Sequence, residues 1–198
     1  MLAEIVASAR DLGFVGKGPV DDAIEHARGF ATGVSEPPRR LLDLGSGGGL
    51  PGLVLAADWP ATRVTLVDAN QRRCAFLDDA VTRLGFQDRV TVVATRAELL
   101  GHEADFRAGY DVVTARGFGR PAVTAECAAP LLRVGGRLIV SEPPTDDDRW
   151  PAEGLALLGL ELGSVWTTPY RYRSLVQVSL CPARYPRRVG VPAKRPLF

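Results

Sequence analysis

The residues of this chain best suited to hold a small ligand are two carboxylates and a run of glycines: Asp43-Leu-Gly45-Ser-Gly47-Gly48-Gly49-Leu-Pro51-Gly52, followed by Asp68. Glycine lacks the Cβ that would keep a ligand off the main chain, so Gly45, Gly47 and Gly49 let backbone N–H groups approach it. Gly47, Gly49 and Gly52 match the dinucleotide spacing G-x-G-x-x-G. Asp68, about two dozen residues past the start of the loop, stands where nucleotide folds keep a ribose-binding carboxylate. Asp43 argues against a dinucleotide: a carboxylate at the tip of the first strand would repel a pyrophosphate, whereas it suits an ammonium group. Arg116, in Ala115-Arg116-Gly117, ends a later apolar run and faces the same edge. The chain has only two histidines, His26 and His102, and no convincing His/Asp pair for general-base chemistry.

These residues need a scaffold that brings strand ends to one rim. Alternation of apolar runs and helical periodicities predicts strands at 40–44, 63–67, 89–93, 110–114 and 136–141, with helices at 51–58, 71–84 and 121–132. That order implies an α/β fold with a mostly parallel sheet and helices on both faces. A helix over 150–158 and two last strands, 160–168 and 174–181, add an antiparallel hairpin. Asp68 also stands where it could cap the helix that follows it, a role compatible with binding a ribose. The loop Thr95-Arg96-Ala97-Glu98 follows the third strand, and the stretch 101–109, with His102, reads as a solvated connection. The acidic run 146–148 reads as a solvated loop.

Three segments result: a short helical N-terminal extension (1–39), a ligand-binding α/β domain (40–181) and a basic, Pro-rich tail (182–198). The tail holds Arg184, Arg187, Arg188, Lys194 and Arg195 without an acid, and fits either a phosphate-contacting arm or a strap packed on its own domain. At 198 residues and 46% hydrophobic content the chain can bury one sizeable core. With 24 basic and 23 acidic residues its net charge is +1, so global charge does not announce nucleic acid. Three widely spaced cysteines argue against a disulfide framework or a zinc site, and no apolar run approaches a membrane span or a signal peptide. A cytoplasmic protein with neither metal nor membrane partner is expected.

The Asp43-x-Gly45-x-Gly47-x-Gly49 pattern resembles that of the class I methyltransferases, which bind S-adenosyl-L-methionine (SAM) and share a Rossmann-like, seven-stranded, mostly parallel sheet. More specifically, the chain resembles the RsmG/GidB family, which methylates a guanine N7 in small-subunit (16S) ribosomal RNA. The resemblance runs from about Leu41 to the C-terminus. It rests on the GLPG extension of the glycine loop, Asp68 with Arg72-Arg73, Arg96-Ala97-Glu98, Thr114-Ala115-Arg116, Pro130 to Arg137 and the ending Arg184 to Leu197. It implies SAM as cofactor and ribosomal RNA or the small subunit as partner. It further implies that Gly45, Gly47 and Gly49 line the cofactor, that Asp68 binds its ribose, and that Ala97 and Glu98 flank adenine. Arg72, Arg96 and Arg116 would then surround the catalytic crevice. Two departures stand out: a shorter N-terminal region reading HARGF around His26, and Glu142 where the family has a lysine. The second is a charge reversal, and Arg116 is the expected partner of Glu142. A SAM methyltransferase of a non-RNA substrate and a non-catalytic SAM- or ribosome-binding paralogue stay open as alternatives, with an NAD(P) dehydrogenase a third.

Overall fold

The computed structural model describes residues 1–145 and 149–198; the acidic run read above as a loop lies outside the described residues. Seven strands among them make one sheet in the order β3-β2-β1-β4-β5-β7-β6. They are β1 (Arg40–Leu44), β2 (Arg63–Asp68), β3 (Val90–Ala94), β4 (Tyr110–Ala115), β5 (Leu132–Ser141), β6 (Leu160–Trp166) and β7 (Tyr172–Gln177). All neighbours pair in parallel except β7, which runs antiparallel to β5 and β6. Chain order reverses at β1, whose neighbours are β2 on one side and β4 on the other, and such a switch opens a crevice at the C-terminal strand ends.

The helices are α1 (Leu2–Asp11), α2 (Val20–Gly29), α3 (Gly52–Asp58), α4 (Gln71–Leu84), α5 (Ala97–Leu100), α6 (Pro121–Ala128), α7 (Ala152–Ala156) and α8 (Val191–Lys194). Alternate residues of each strand feed opposite layers. Leu42, Leu44, Val113 and Leu138 pack with Trp150 and Leu155 on one face, whereas Leu41, Leu66, Val112 and Ile139 pack with Ile5, Phe30 and Tyr172 on the other. Helix α1 and the 3-10 turn Phe30–Gly33 therefore belong to the sheet's core, while Ala27 of α2 packs in a smaller cluster with Val6, Leu50 and Val54. Helix α4 begins where the Asn70 side chain accepts from the Arg72 and Arg73 N–H groups and ends at Gly85, whose φ of 70° gives a left-handed stop. The cap is thus Asn70, which leaves Asp68 for another role.

Several boundaries differ from the sequence reading. The helix expected over 121–132 stops at Ala128, because Pro130 cannot continue it, and β5 starts at Leu132 rather than at 136. Pro151 and Gly159 (φ 74°) confine α7 to five residues. Strand β6 ends at Trp166 and β7 starts at Tyr172, earlier than expected, because Tyr172 pairs with both Ser141 and Trp166. The stretch 101–109 is no mere solvated connection. Arg107 donates to the carbonyls of Gly101, Cys181, Pro182 and Tyr185, and His102 Nε2 lies 2.7 Å from the Pro186 carbonyl, so this stretch grips the tail.

Candidate active site

Strand β1 delivers the glycine loop to the rim, and the loop turns there through left-handed residues Gly45 (φ 71°), Gly47 (φ 56°) and Gly49 (φ 92°). Ser46 staples it to β2: its N–H donates to the Val67 carbonyl (2.9 Å), and its hydroxyl accepts from the Val67 N–H (3.0 Å). Asp43 holds the loop from beneath. Its Oδ2 accepts from the Gly52 N–H (3.0 Å) and its Oδ1 from the Thr114 hydroxyl (2.8 Å), with 1% of the residue exposed. Burial pushes its pKa up to about 6 against the pull of those bonds. Asp43, expected to meet an ammonium group, is not among the residues that line the spaces at this rim. Its carboxylate is enclosed and partnered inside the protein, so it shapes the loop instead of lining the groove.

Asp68 ends β2 on the other side of the loop. Its Oδ2 accepts from the Gly47 N–H (2.9 Å), its Oδ1 from the Asn70 N–H (2.8 Å), and Arg73 lies 3.6 Å away. A carboxylate offers about four lone-pair sites, so each oxygen keeps capacity for one more donor, such as a ribose hydroxyl. Asp68 lines a cleft of about 340 Å³ together with Gly45, Thr95, Arg96, Ala97, Glu98 and Phe118. Through Gly45, Arg73 and Gly117 this continues into a space of about 260 Å³ bounded by Phe14, Val15, Gly47 and Arg116. A third space, about 250 Å³, is lined by His26, Phe118, Glu142 and Trp150 and shares Gly117 with the other two. The result is a continuous trench with a side crevice. Its floor leaves room for an adenosyl amino-acid cofactor: Gly47 (φ 56°) and Gly117 (φ 66°) hold backbone conformations that side chains rarely adopt, and at Gly117 no heavy atom lies within 4 Å of where a Cβ would stand.

The sequence-selected residues divide accordingly. Gly45, Gly47, Asp68, Arg96, Ala97, Glu98 and Arg116 line the trench, and Gly49 turns the loop behind it. Arg116 is half-buried, and burial lowers its pKa although Asp43, Tyr172 and Tyr170 oppose the shift. It forms no ion pair among the described residues and so remains available to an anion. Arg72 does not belong to this set. It is exposed on α4, and the trench residue is Arg73, which lies 5.9 Å from the Phe14 ring centre. Helical phase carried the signal, because 73, 77 and 80 fall on one face with the buried Leu77 and Ala80. Phe14, Phe118 and Ala193 carried none, since each reaches the trench from a segment without local chemistry.

The profile of the GidB family, described as rRNA small subunit methyltransferase G, matches residues 21–151. The chain belongs to this family. It is 39% identical over 171 residues to the ribosomal RNA small subunit methyltransferase G of Roseiflexus castenholzii, covering 82% of this chain and 73% of the relative. Its identity to the protein of that name from Chloroflexus aggregans is 38% over 184 residues, 89% and 75% of the two chains. Among solved structures, the cofactor-bound Rv0187 from MTB superposes with a TM-score of 0.63 at 18% identity, over 90% of this chain and 89% of that one. The antibiotic-resistance methyltransferase Kmr gives 0.59 at 17%, over 77% and 91%. These structural likenesses establish the fold.

Glu142, where the family resemblance leads one to expect a lysine, is enclosed by partners of its own. Its Oε1 accepts from the Trp150 indole N–H (2.7 Å) and its Oε2 from Arg149 (3.2 Å), with 5% of the side chain exposed. The expected Arg116 partner is replaced by Arg149. Across the crevice, burial and, secondarily, Arg116 push the His26 pKa down to about 4, so the imidazole is neutral at physiological pH. Its ring stacks near Tyr170, with centroids 4.6 Å apart. Among the described residues no cluster of His, Cys, Asp and Glu suits a metal ion, and no helix is long and apolar enough to cross a membrane.

Proposed function

We propose that this chain is a SAM-dependent methyltransferase that modifies N7 of a guanine in small-subunit ribosomal RNA and works in the cytoplasm, where that RNA is assembled. The observation that carries the reading is the trench itself: Asp68 and the 95–98 loop lie at one end, Arg116 and most of the glycine loop at the other, and a crevice opens at the shared Gly117. SAM would supply a methyl group activated by its sulfonium. Asp68 accepts from the ribose hydroxyls, the backbone of Gly45 to Gly47 admits the cofactor, and Ala97 borders adenine. Guanine N7 already holds a lone pair in the ring plane, so no group of the chain needs to remove a proton. The task of Phe118, His26 and the crevice walls is to hold the base with N7 about 3 Å from the methyl carbon, in line with its bond to sulfur. Arg116 carries a fixed positive charge at the rim and can hold the cofactor carboxylate or an RNA phosphate.

A non-RNA substrate would be favoured by an unpartnered Glu142 facing the crevice and by the near-neutral net charge of +1. With Arg149 and Trp150 as its partners, that anion is neutralised within the wall. The test is methyl incorporation from labelled SAM into naked 16S RNA and into small subunits, with the product mapped by chain cleavage at N7-methylguanine. One modified guanine is expected. SAM binding without methylation of either substrate would overturn the RNA assignment, and absence of SAM binding would overturn the reading altogether.

A further inference from the structure

The C-terminal tail folds back across the nucleoside end of the trench, and two buried carboxylates receive it. Glu126, 0% exposed, accepts from the Arg187 backbone N–H (2.8 Å) and, along one edge of its guanidinium, from Nε (2.8 Å) and Nη2 (2.6 Å). Glu98, 8% exposed, accepts from the Gly190 N–H (3.0 Å). Opening the tail would strand the Glu126 carboxylate, a buried charge without its partner, whereas Glu98 keeps Arg96 within 3.5 Å and gives up only the Gly190 hydrogen bond. Gly190 (φ 78°) then turns the chain into α8, and Ala193 emerges on the wall of the cleft that contains Asp68, Thr95 and Ala97. A strap that only braced the domain could end on Glu126. This one continues onto Glu98, a residue of the loop that borders the nucleoside, and places a small side chain beside the space.

We propose that the tail completes the nucleoside half of the cofactor site, with Ala193 as its contact wall and Glu98 as its latch. The assignment rests on the SAM reading above. Nucleoside binding and tail closure then stabilise one another: a ligand that prefers the closed tail must be bound better by it, in equal measure. The five cations of the tail thereby divide. Arg187 is committed to Glu126, and Arg184, Arg188, Lys194 and Arg195 are left exposed; trypsin can cut after Arg184, Arg188 and Lys194 whenever the strap opens, but not after Arg195, which precedes Pro196.

The test uses the full chain with S-adenosylhomocysteine as probe. In calorimetry, Ala193→Trp fills the cleft from an exposed position, so affinity should fall at least about 10-fold while the melting temperature stays within about 2 °C. In limited trypsinolysis of the unmodified protein, saturating probe should slow cleavage in the tail about 10-fold or more, because opening is then coupled to release. Wild-type affinity in the tryptophan variant, or tail cleavage at an unchanged rate in the presence of bound probe, overturns the proposal and leaves the cofactor reading standing. Failure of the unmodified protein to bind the probe overturns both.

Discussion

Replacing Asp43 by asparagine isolates the cost of keeping an ion beneath the glycine loop. Burial raises the carboxyl pKa from 3.8 to about 6 although Thr114 and Gly52 both donate to it. At about 1.36 kcal/mol per unit, the ionised group costs the folded state about 3 kcal/mol at neutral pH. The folded pKa lies above the unfolded one, so the folded chain binds the extra proton between them. Its contribution to stability is full below the unfolded pKa and is lost as pH rises through about 6. Of the total, about 2 kcal/mol falls between about pH 4.5 and about pH 7.5. Asparagine preserves the contacts, since its carbonyl accepts from the Gly52 N–H while its amide donates to the rotatable Thr114 hydroxyl. Urea unfolding of both proteins at those two pH values cancels the titration of every other group. The stability of Asp43→Asn relative to wild type should rise by about 2 kcal/mol from the lower pH to the higher. A difference that does not change with pH would refute the buried-ion argument. A decrease would mean that Asp43 is held ionised by a cation.

Asp68→Ala should weaken S-adenosylhomocysteine binding by about 1–3 kcal/mol in calorimetry, the scale of hydrogen bonds to a charged group. Arg72→Ala should leave that affinity within about 2-fold, as for a surface change, and Arg73→Ala should reduce it about 10-fold. Equal effects of the two substitutions would refute the assignment of Arg73 rather than Arg72 to the trench. Glu142→Lys removes the acceptor of Trp150 and sets two cations together at Arg149, so thermal unfolding should show a loss of about 1–3 kcal/mol. An unchanged melting temperature would mean that the wall does not depend on those contacts.

The parallel sheet, the glycine loop and the place of Asp68 were legible in the sequence because each is a local pattern: apolar runs of strand length, a spacing of glycines, and a carboxylate at a strand end. Element ends were less legible where a neighbour decided them, as with β7, which starts at Tyr172 because Ser141 and Trp166 pair there. The direction in which a polar side chain faces was legible only where helical phase marks it, as at Arg73, and not where a distant partner sets it. Asp43 turns inward because Thr114, 71 positions away, meets it across adjacent strands. Arg73 rather than Arg72 reaches the trench because the core fixes the rotation of α4 about its axis. The tail, composed equally well for an arm on phosphate, became a strap because Glu98, Glu126 and Arg107 wait for it in the folded domain. Periodicity and spacing are written along the chain and need no partner to be read. The partner of a buried charge is chosen by desolvation once the chain has closed around it, and that choice exists only in three dimensions.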